Sequence, residues 1–589
     1  MKLDIVIVTY NSRQWLENCI NSILHSTYPT KNISLIFVDN QSNDETIEII
    51  SQLKTLHEKA FDNFQLIINK ENRGFGAANN IGVKKSNSDA PYIFFLNADT
   101  EIRKDTISKL IDATEVYKND NVAAFECRQW PYEHPKFYDP LTNDTPWCSG
   151  AALMVNKEHF MTVGMFDETI FMYAEDVDLS WNFLLHGYKL KYLPHAIVNH
   201  YSYSKPYEVK PLQFSESISN NLYLRYKYGT LKKIIRGWLQ IANLLKNPIP
   251  ISKASLLLNA IKKTPPGLFY MVKNRISKKK QLVEAYKAGY IRFDYWDYSI
   301  RRKGDFYECS LLEKQPLVSI VIRTCGRIRL LREALESVKK QTYPKYEVIV
   351  AEDGPAISKD FLEREFSDIP IKYICSGEKI GRSRNGNLGL QNASGKFMTF
   401  LDDDDLFFAD HLETLVREIG KKENEKIFYS LAFETKIKRD TKTLDYEVID
   451  YQVVYNQQHN RLLLTKKNYF PIQTVIFHRT VFEELGGFDE TIDFCEDWDL
   501  WLRYSLKYNF NYIEKITSIY RVPLSNAIRQ KELDSTLEYL KAKHAQYSMT
   551  IPLDSLKSDL DSYVSSLYMS ELPISKKELL KKILKKIFF

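Results

Sequence analysis

The chain lacks the marks of several protein classes. No stretch of its 589 residues reaches the roughly 18 uninterrupted apolar residues of a membrane-crossing helix, so none is expected and membrane contact would be peripheral. The opening MKLDIVIVTYNS has neither a basic leader nor a long apolar core, so no signal peptide is expected. The seven cysteines, Cys19, Cys127, Cys148, Cys309, Cys325, Cys375 and Cys495, are odd in number and form no CxxC pair. That excludes a zinc ribbon and a disulfide framework, and it fits a reducing cytoplasm. The formal charge of +6 is small for this length, and no basic run is joined to a nucleic-acid-binding signature. Nucleic acid is therefore excluded as the main partner.

What is present is enough apolar material for large cores, at 44% hydrophobic and 26% charged residues. Single cores stop growing near about 250–300 residues, so two large domains are expected. An internal repeat supports this. The segment from Leu3, LDIVIVTYNS, matches that from Val318, VSIVIRTCGR; YIFFLNADT from Tyr92 matches KFMTFLDDDD from Lys396; and GMFDETIFMYAEDVDLSW matches GGFDETIDFCEDWDLWL. The blocks keep their order, so the chain is a duplication.

Each half opens with a β-branched run ending in threonine, then a helix-period segment and a second apolar run, LIFVD or EVIVAED. This βαβ spacing predicts a parallel sheet with ligands beyond the carboxyl ends of its strands. Thr9, Asp39 and Asp99, with Thr324, Glu352 and Asp404, fall at those ends. The expected organisation is a first domain over 1–205, a basic and hydrophobic helical linker over 206–315, a second domain over 316–525 and a helical tail over 526–589. Pro248, Pro250, Pro265 and Pro266 divide the linker into several helices.

In the second half a strand delivers Asp402, Asp403, Asp404 and Asp405 together. Adjacent carboxylates repel unless a cation neutralises them, and Mg²⁺ or Mn²⁺ bridging carboxylates to a diphosphate is the natural partner. The first half has Asn97-Ala98-Asp99 instead, which makes Asp99 the expected metal ligand there. A second acidic pair, Glu175-Asp176 or Glu496-Asp497, opens a helix-period segment in each half. Asp176 and Asp497 are the expected general bases, each taking the proton from an attacking hydroxyl. Between the strands, NRGFGAANNIG answers GEKIGRSRNGNLG and pairs Gly74 with Gly381 and Asn80 with Asn387. Glycine at a helix start allows close approach of a phosphate or ribose.

Together VTYNS, VDNQSNDET, NRGFGAANN, FFLNADT and FDETIFMYAEDVDLSW resemble glycosyltransferase family 2, in its rhamnosyltransferase-like branch. AEDG, GRSRNGNLG, FLDDDDLF and EDWDLWLR resemble another branch of that family. The resemblance implies an α/β fold class: two GT-A domains in tandem, of the Rossmann-like nucleotide-diphospho-sugar transferase type. It also implies an inverting displacement at the anomeric carbon. Carried over, Asp39 and Glu352 read the nucleotide base, Thr9 and Thr324 close that pocket, and Asn80, Asn387, Asp99 and Asp403 complete the donor site. Asp99, Asp402 and Asp404 are the implied metal ligands, with His200 completing the first site and Pro523 standing where the second would have its histidine.

The tail ISKKELLKKILKKIFF sets Leu580, Ile583, Leu584 and Ile587 at helical spacing opposite four lysines, the pattern of an interfacial helix on an anionic inner-membrane surface. The function expected is transfer of sugars from dTDP- or UDP-linked donors to a glycan or lipid-linked glycan, extending a bacterial cell-surface polysaccharide. Rhamnosyl transfer is the expectation for the first domain. Two alternatives stay open: a processive polymerase of the hyaluronan or chondroitin type, and one catalytic domain beside one that binds glycan or membrane.

Overall fold

A computed structural model describes the whole chain except residues 87–88, 203–207, 209, 294–297, 305–311, 440–445, 525–526, 549–551 and 572–589. It divides into two compact units, Met1–Ser310 and Leu311–Phe589. The amphipathic tail expected at the C-terminus lies outside the described residues.

In the first unit the strands are β1 (Leu3–Thr9), β2 (Ile33–Asp39), β3 (Asn63–Ile68), β4 (Tyr92–Leu96), β5 (Thr100–Ile102), β6 (Val122–Trp130), β7 (Ala152–Asn156) and β8 (Lys189–His200). They form one sheet in the order β3-β2-β1-β4-β7-β6-β8-β5. Ile5, Val6 and Ile7 of β1 are all fully buried, as a strand covered on both faces requires. The helix Leu16–Leu24 turns Leu16, Cys19, Ile20 and Ile23 onto the sheet at helical spacing.

The parallel sheet expected from the βαβ spacing extends over β1 to β4, and parallel pairing returns only between β6 and β8. Beyond it β7 runs antiparallel to β4 and to β6, so the whole sheet is mixed. The physical reason is the connection between β6 and β7, which carries no crossover helix; only such a crossover keeps the next strand parallel.

The second unit repeats the plan with β9 (Val318–Thr324), β10 (Tyr346–Glu352), β11 (Ile371–Cys375), β12 (Phe397–Asp402), β13 (Leu406–Phe407), β14 (Ile427–Arg439), β15 (Tyr446–Gln452), β16 (Val475–His478) and β17 (Phe510–Pro523). Its order is β11-β10-β9-β12-β16-β14-β17-β13, with β15 added as a hairpin on β14. Strand for strand this is the order of the first sheet, so the duplication seen in the blocks extends to topology.

The segment expected as a linker folds onto the first unit. Its helices are Pro211–Tyr228, Leu231–Leu244, Lys253–Lys262, Thr264–Ser277 and Lys279–Lys287. Pro265 and Pro266 fall in the first turn of Thr264–Ser277, where proline costs no hydrogen bond. Trp181 of the sheet-packed helix Glu175–Leu185 meets Tyr228, Phe293 and Tyr298 edge-on at 5.4, 5.3 and 5.7 Å. Past the helices the chain straps back: Arg302 N donates to the Pro135 carbonyl at 2.8 Å and its guanidinium meets Glu133 at 3.1 Å.

Candidate functional site

At the carboxyl ends of β1 and β2, Thr9 Oγ1 donates to Asp39 Oδ2 at 3.0 Å, and both residues are fully buried. Ser42 supplies two more donors to Asp39, its N–H at 2.9 Å and its hydroxyl at 2.5 Å. The equivalent Glu352 accepts from Ser358 N at 2.9 Å, Ser358 Oγ at 3.0 Å and the Tyr373 hydroxyl. Each acid thus anchors the loop that follows its own strand.

The antiparallel pairing of β5 with β8 brings together two residues far apart in sequence. Thr100 faces His200, and His200 Nε2 lies 3.5 Å from Asp99 Oδ1. Gln129 Nε2 donates to Ser149 Oγ at 3.0 Å, which turns Gln129 Oε1 toward His200 Nδ1 at 2.8 Å. A carbonyl oxygen accepts, so Nδ1 carries a proton; Nε2 then presents a lone pair to Asp99 in the neutral ring and donates to it in the imidazolium. With the ring neutral the two acceptors face each other, and Asp99 and His200 would hold a divalent ion between them. Burial opposes ionisation of Asp99, but the imidazolium form of His200 outweighs it and holds the carboxyl below its usual range. Asn97 Oδ1 is buried nearby without a hydrogen-bond partner.

Asp176 sits in the first turn of Glu175–Leu185, entered through Ala174 at φ 73°, a left-handed conformation costly for a non-glycine residue. Gly150 N and Val177 N donate to its two oxygens at 2.9 and 2.8 Å. Burial raises the Asp176 carboxyl above its usual range. Glu175 is raised further, to about 8, by burial and then by the Asp176 charge, and its Oε2 is buried without a partner.

Asn80 and Asn387 are placed as clamps. Asn80 Nδ2 donates to the Phe166 carbonyl at 2.9 Å and Phe166 N returns a bond to Asn80 Oδ1 at 3.1 Å; Asn387 makes the same pair with Phe488 at 3.0 and 2.7 Å. Their amides hold the GxFDE turn, with both the oxygen and the nitrogen engaged there. Gly74 and Gly381 open their helices at φ 82° and 95°. The close approach Gly74 permits is to backbone: an added Cβ would stand 2.2 Å from the Phe171 carbonyl oxygen. At the second helix start Ser383 N already donates to the Asp493 carboxylate at 3.2 Å.

The acidic run of the second unit is already neutralised. Arg323 Nε and Nη2 donate to the two Asp402 oxygens at 2.8 and 2.9 Å, and Arg323 Nη1 reaches Glu496 at 2.7 Å. Arg327 grips Asp403, which also accepts from Thr324 Oγ1 at 2.7 Å, and lies 3.3 Å from Asp404. The guanidinium groups therefore supply the neutralisation that the sequence assigns to a divalent ion. The strand register also corrects the position of the expected histidine. Leu406 and Phe407 pair with Ile519 and Ser518, so Tyr520, not Pro523, stands where the first unit has His200. A phenol in place of imidazole makes this unit a poorer fit to the metal. Asp497 receives Asn468 Nδ2 at 2.8 Å and Trp498 N at 2.9 Å, and burial, with the adjacent Glu496, pushes it up to about 7.

Sequence reasoning missed two lysines. Lys227 Nζ joins Asp167 at 2.7 Å to Asp178 at 2.8 Å, and Lys543 Nζ joins Asp489 at 2.6 Å to Asp499 at 2.8 Å. In both units a lysine on a later helix ties the GxFDE turn to the helix carrying the candidate base. The repeated blocks stop short of these helices, so no sequence signal marked them.

The chain is similar to known glycosyltransferases in sequence. An uncharacterised glycosyltransferase of Rickettsia conorii is 25% identical over 546 residues, covering 88% of this chain and 79% of that one. The Escherichia coli UDP-Glc:alpha-D-GlcNAc-diphosphoundecaprenol beta-1,3-glucosyltransferase WfgD is 29% identical over 217 residues, covering 36% of this chain and 81% of its own. Among solved structures, residues 1–349 of TarS from S. aureus align at a TM-score of 0.33 and 16% identity, over 49% of this chain and 92% of that one. The family model of "Glycosyl transferase family 2" matches twice, at residues 4–165 and 319–486. With the same strand order in both units and an acidic pair opening the same helix in each, the chain belongs to glycosyl transferase family 2 and carries two GT-A domains in tandem.

Proposed function

We propose that the chain is an inverting glycosyltransferase with two active centres, transferring sugars from nucleoside-diphosphate donors, dTDP- or UDP-linked, to a growing cell-surface glycan. The observation that carries this reading is the matched placement of Asp176 and Asp497. Each opens its helix, takes the N–H of the next residue and receives a second donor on its other oxygen. A carboxylate so fixed takes the proton from an acceptor hydroxyl as that oxygen bonds to the anomeric carbon. The bond from that carbon to the diphosphate oxygen breaks on the opposite face, and the nucleoside diphosphate leaves with its electron pair.

In the first centre Asp99 and His200 would hold Mg²⁺ or Mn²⁺, and a bound ion would offset charge building on the diphosphate. Asp39 and Thr9 form the floor where the base would sit. In the second centre Asp402, Asp403 and Asp404 are held by arginine, which supports two different reactions rather than one performed twice. The first is read as rhamnosyl transfer. The name of the E. coli relative includes a diphosphoundecaprenol acceptor, which supports a lipid-linked acceptor and a place on the cytoplasmic face of the membrane.

The test is a product assay with Asp176→Asn and Asp497→Asn in the full chain. Loss of a different linkage in each variant is expected. If either leaves every linkage intact, that half is a binding module; a product ladder in the unaltered chain would favour the polymerase reading.

A further inference from the structure

The helical layer that follows the first sheet presents an unpartnered outer face. Residues 231–280 contain twelve lysines and arginines and no aspartate or glutamate. Three consecutive helices in this stretch pack one side inward and turn aliphatic residues outward. Leu231–Leu244 buries Ile234, Gly237 and Ile241 but leaves Leu231, Ile235 and Leu239 exposed, each four residues from the last. Lys253–Lys262 buries Leu256 and Ala260 and exposes Leu257, Leu258 and Ile261. Thr264–Ser277 exposes Leu268, Val272 and Ile276, again four apart, with Phe269 beside them. Phe269 is 64% and Ile276 81% exposed, which no packing need inside the unit explains.

Spacings of three and four put each set on one stripe of its helix. An inward stripe already packs the helix onto its neighbours, so the outward stripe is surplus to folding. Surface aliphatics scattered singly need no account, but three adjacent stripes do. The basic residues border them: Lys232, Lys246, Lys253, Lys262, Lys273 and Lys279 are exposed. Lys263 and Lys278 instead turn inward, to the Thr169 carbonyl and to Asn182. Among the described residues no helix is long and apolar enough to cross a membrane.

We propose that these three helices dock the first unit on an anionic lipid surface, lying in the headgroup plane with their aliphatic stripes inserted. Charge complementarity selects the occupant. A face that exposes Lys232, Lys246, Lys253, Lys262, Lys273 and Lys279, in a stretch without an acidic residue, attracts anionic headgroups, and large aliphatic and aromatic side chains between the lysines enter the acyl boundary. Nucleic acid satisfies the charge and leaves the aliphatics in water. The docking rests on this surface alone and is separable from the transfer chemistry.

The test is flotation of the full chain with vesicles of equal parts phosphatidylglycerol and phosphatidylcholine, and with phosphatidylcholine alone. Binding to the anionic vesicles only, weakened by salt, is expected. Leu239→Glu with Phe269→Glu and Val272→Glu, all exposed positions, should lower binding by about tenfold or more, with an unchanged melting curve and unchanged transfer to a soluble acceptor. A second full-length variant, Leu580→Glu with Ile583→Glu and Ile587→Glu, separates the C-terminal tail from the three helices. Undiminished flotation of the first variant overturns the proposal, as does complete loss in the tail variant alone. So does a self-association in sedimentation that the first variant abolishes, or tighter binding to single-stranded RNA than to vesicles.

Discussion

Arg323 holds Asp402 through two parallel hydrogen bonds of 2.8 and 2.9 Å, and its remaining nitrogen reaches Glu496, the neighbour of the candidate base. The first unit has Val8 at the place of Arg323, Asn97 at that of Asp402 and Glu175 at that of Glu496. Asn97 Oδ1 and Glu175 Oε2, the counterparts of the groups Arg323 ties together, are buried there without partners. One unit closes this corner with a guanidinium and the other leaves two buried oxygens open. The two centres share topology and differ in charge.

The first prediction concerns the metal. With Asp99 facing His200 in one unit, and arginine on Asp402, Asp403 and Asp404 with Tyr520 at the histidine position in the other, one divalent ion per chain is expected. Mn²⁺ titration followed by electron paramagnetic resonance, with UDP, dTDP or no nucleotide, should show one tight site. Asp99→Asn should abolish it and Asp402→Asn leave it unchanged. A second site that disappears in Asp402→Asn would refute the asymmetry.

The fold was largely legible in the sequence, because periodicity and block order survive duplication: the strands ending in Thr9 and Thr324 and the helices opening at Glu175 and Glu496 lie where those blocks predict. The sites were legible in composition and not in pairing. Asp99 and His200 could be named separately, but their contact depends on the register of β5 against β8. Register also moved the histidine equivalent from Pro523 to Tyr520, since the end of a long strand does not reveal which residue faces its partner. Arg323 left a readable trace, a charge in an otherwise apolar strand where the repeat has Val8, while Lys227 and Lys543 left none.

A second prediction follows from the burial of Arg323. It is almost wholly enclosed, with Glu496 equally so. Removing one member of such a pair strands the other, at a cost of about 3–5 kcal/mol. Arg323→Ala should therefore lower the melting transition of the second unit and leave the first in place. Adding Asp402→Asn should recover part of the loss, which a double-mutant cycle by calorimetry measures.

The third prediction is a pH profile. Asp497 must be ionised to accept a proton, and burial followed by the Glu496 charge raises it to about 7. A base with a raised value loses activity as pH falls through that value, so the linkage made by the second centre should decline about tenfold per unit below it. Initial rates between pH 5 and 9 in an Asp176→Asn background isolate this limb, about two units either side of the midpoint. A flat profile across neutrality would remove Asp497 from the role of base.

The last prediction concerns the lysine clasp. Burial resists ionisation of Asp167, but Lys227 outweighs it and brings the carboxyl down to about 2. A lowered folded-state value means stability that is present above the unfolded value near about 4 and is lost as pH falls toward 2. Lys227→Met should erase that acid-sensitive part and leave Asp167 and Asp178 buried without their cation, a loss of about 3–5 kcal/mol. Because the lysine positions the base helix and touches no reacting atom, the milder Lys227→Arg should keep the melting temperature close to normal. Its first-centre turnover should fall while donor KM stays constant, since Asp176 shifts and the nucleotide floor at Thr9 and Asp39 does not. Lys543→Arg should do the same to the second linkage alone, because its clasp on Asp489 and Asp499 lies wholly within the second unit.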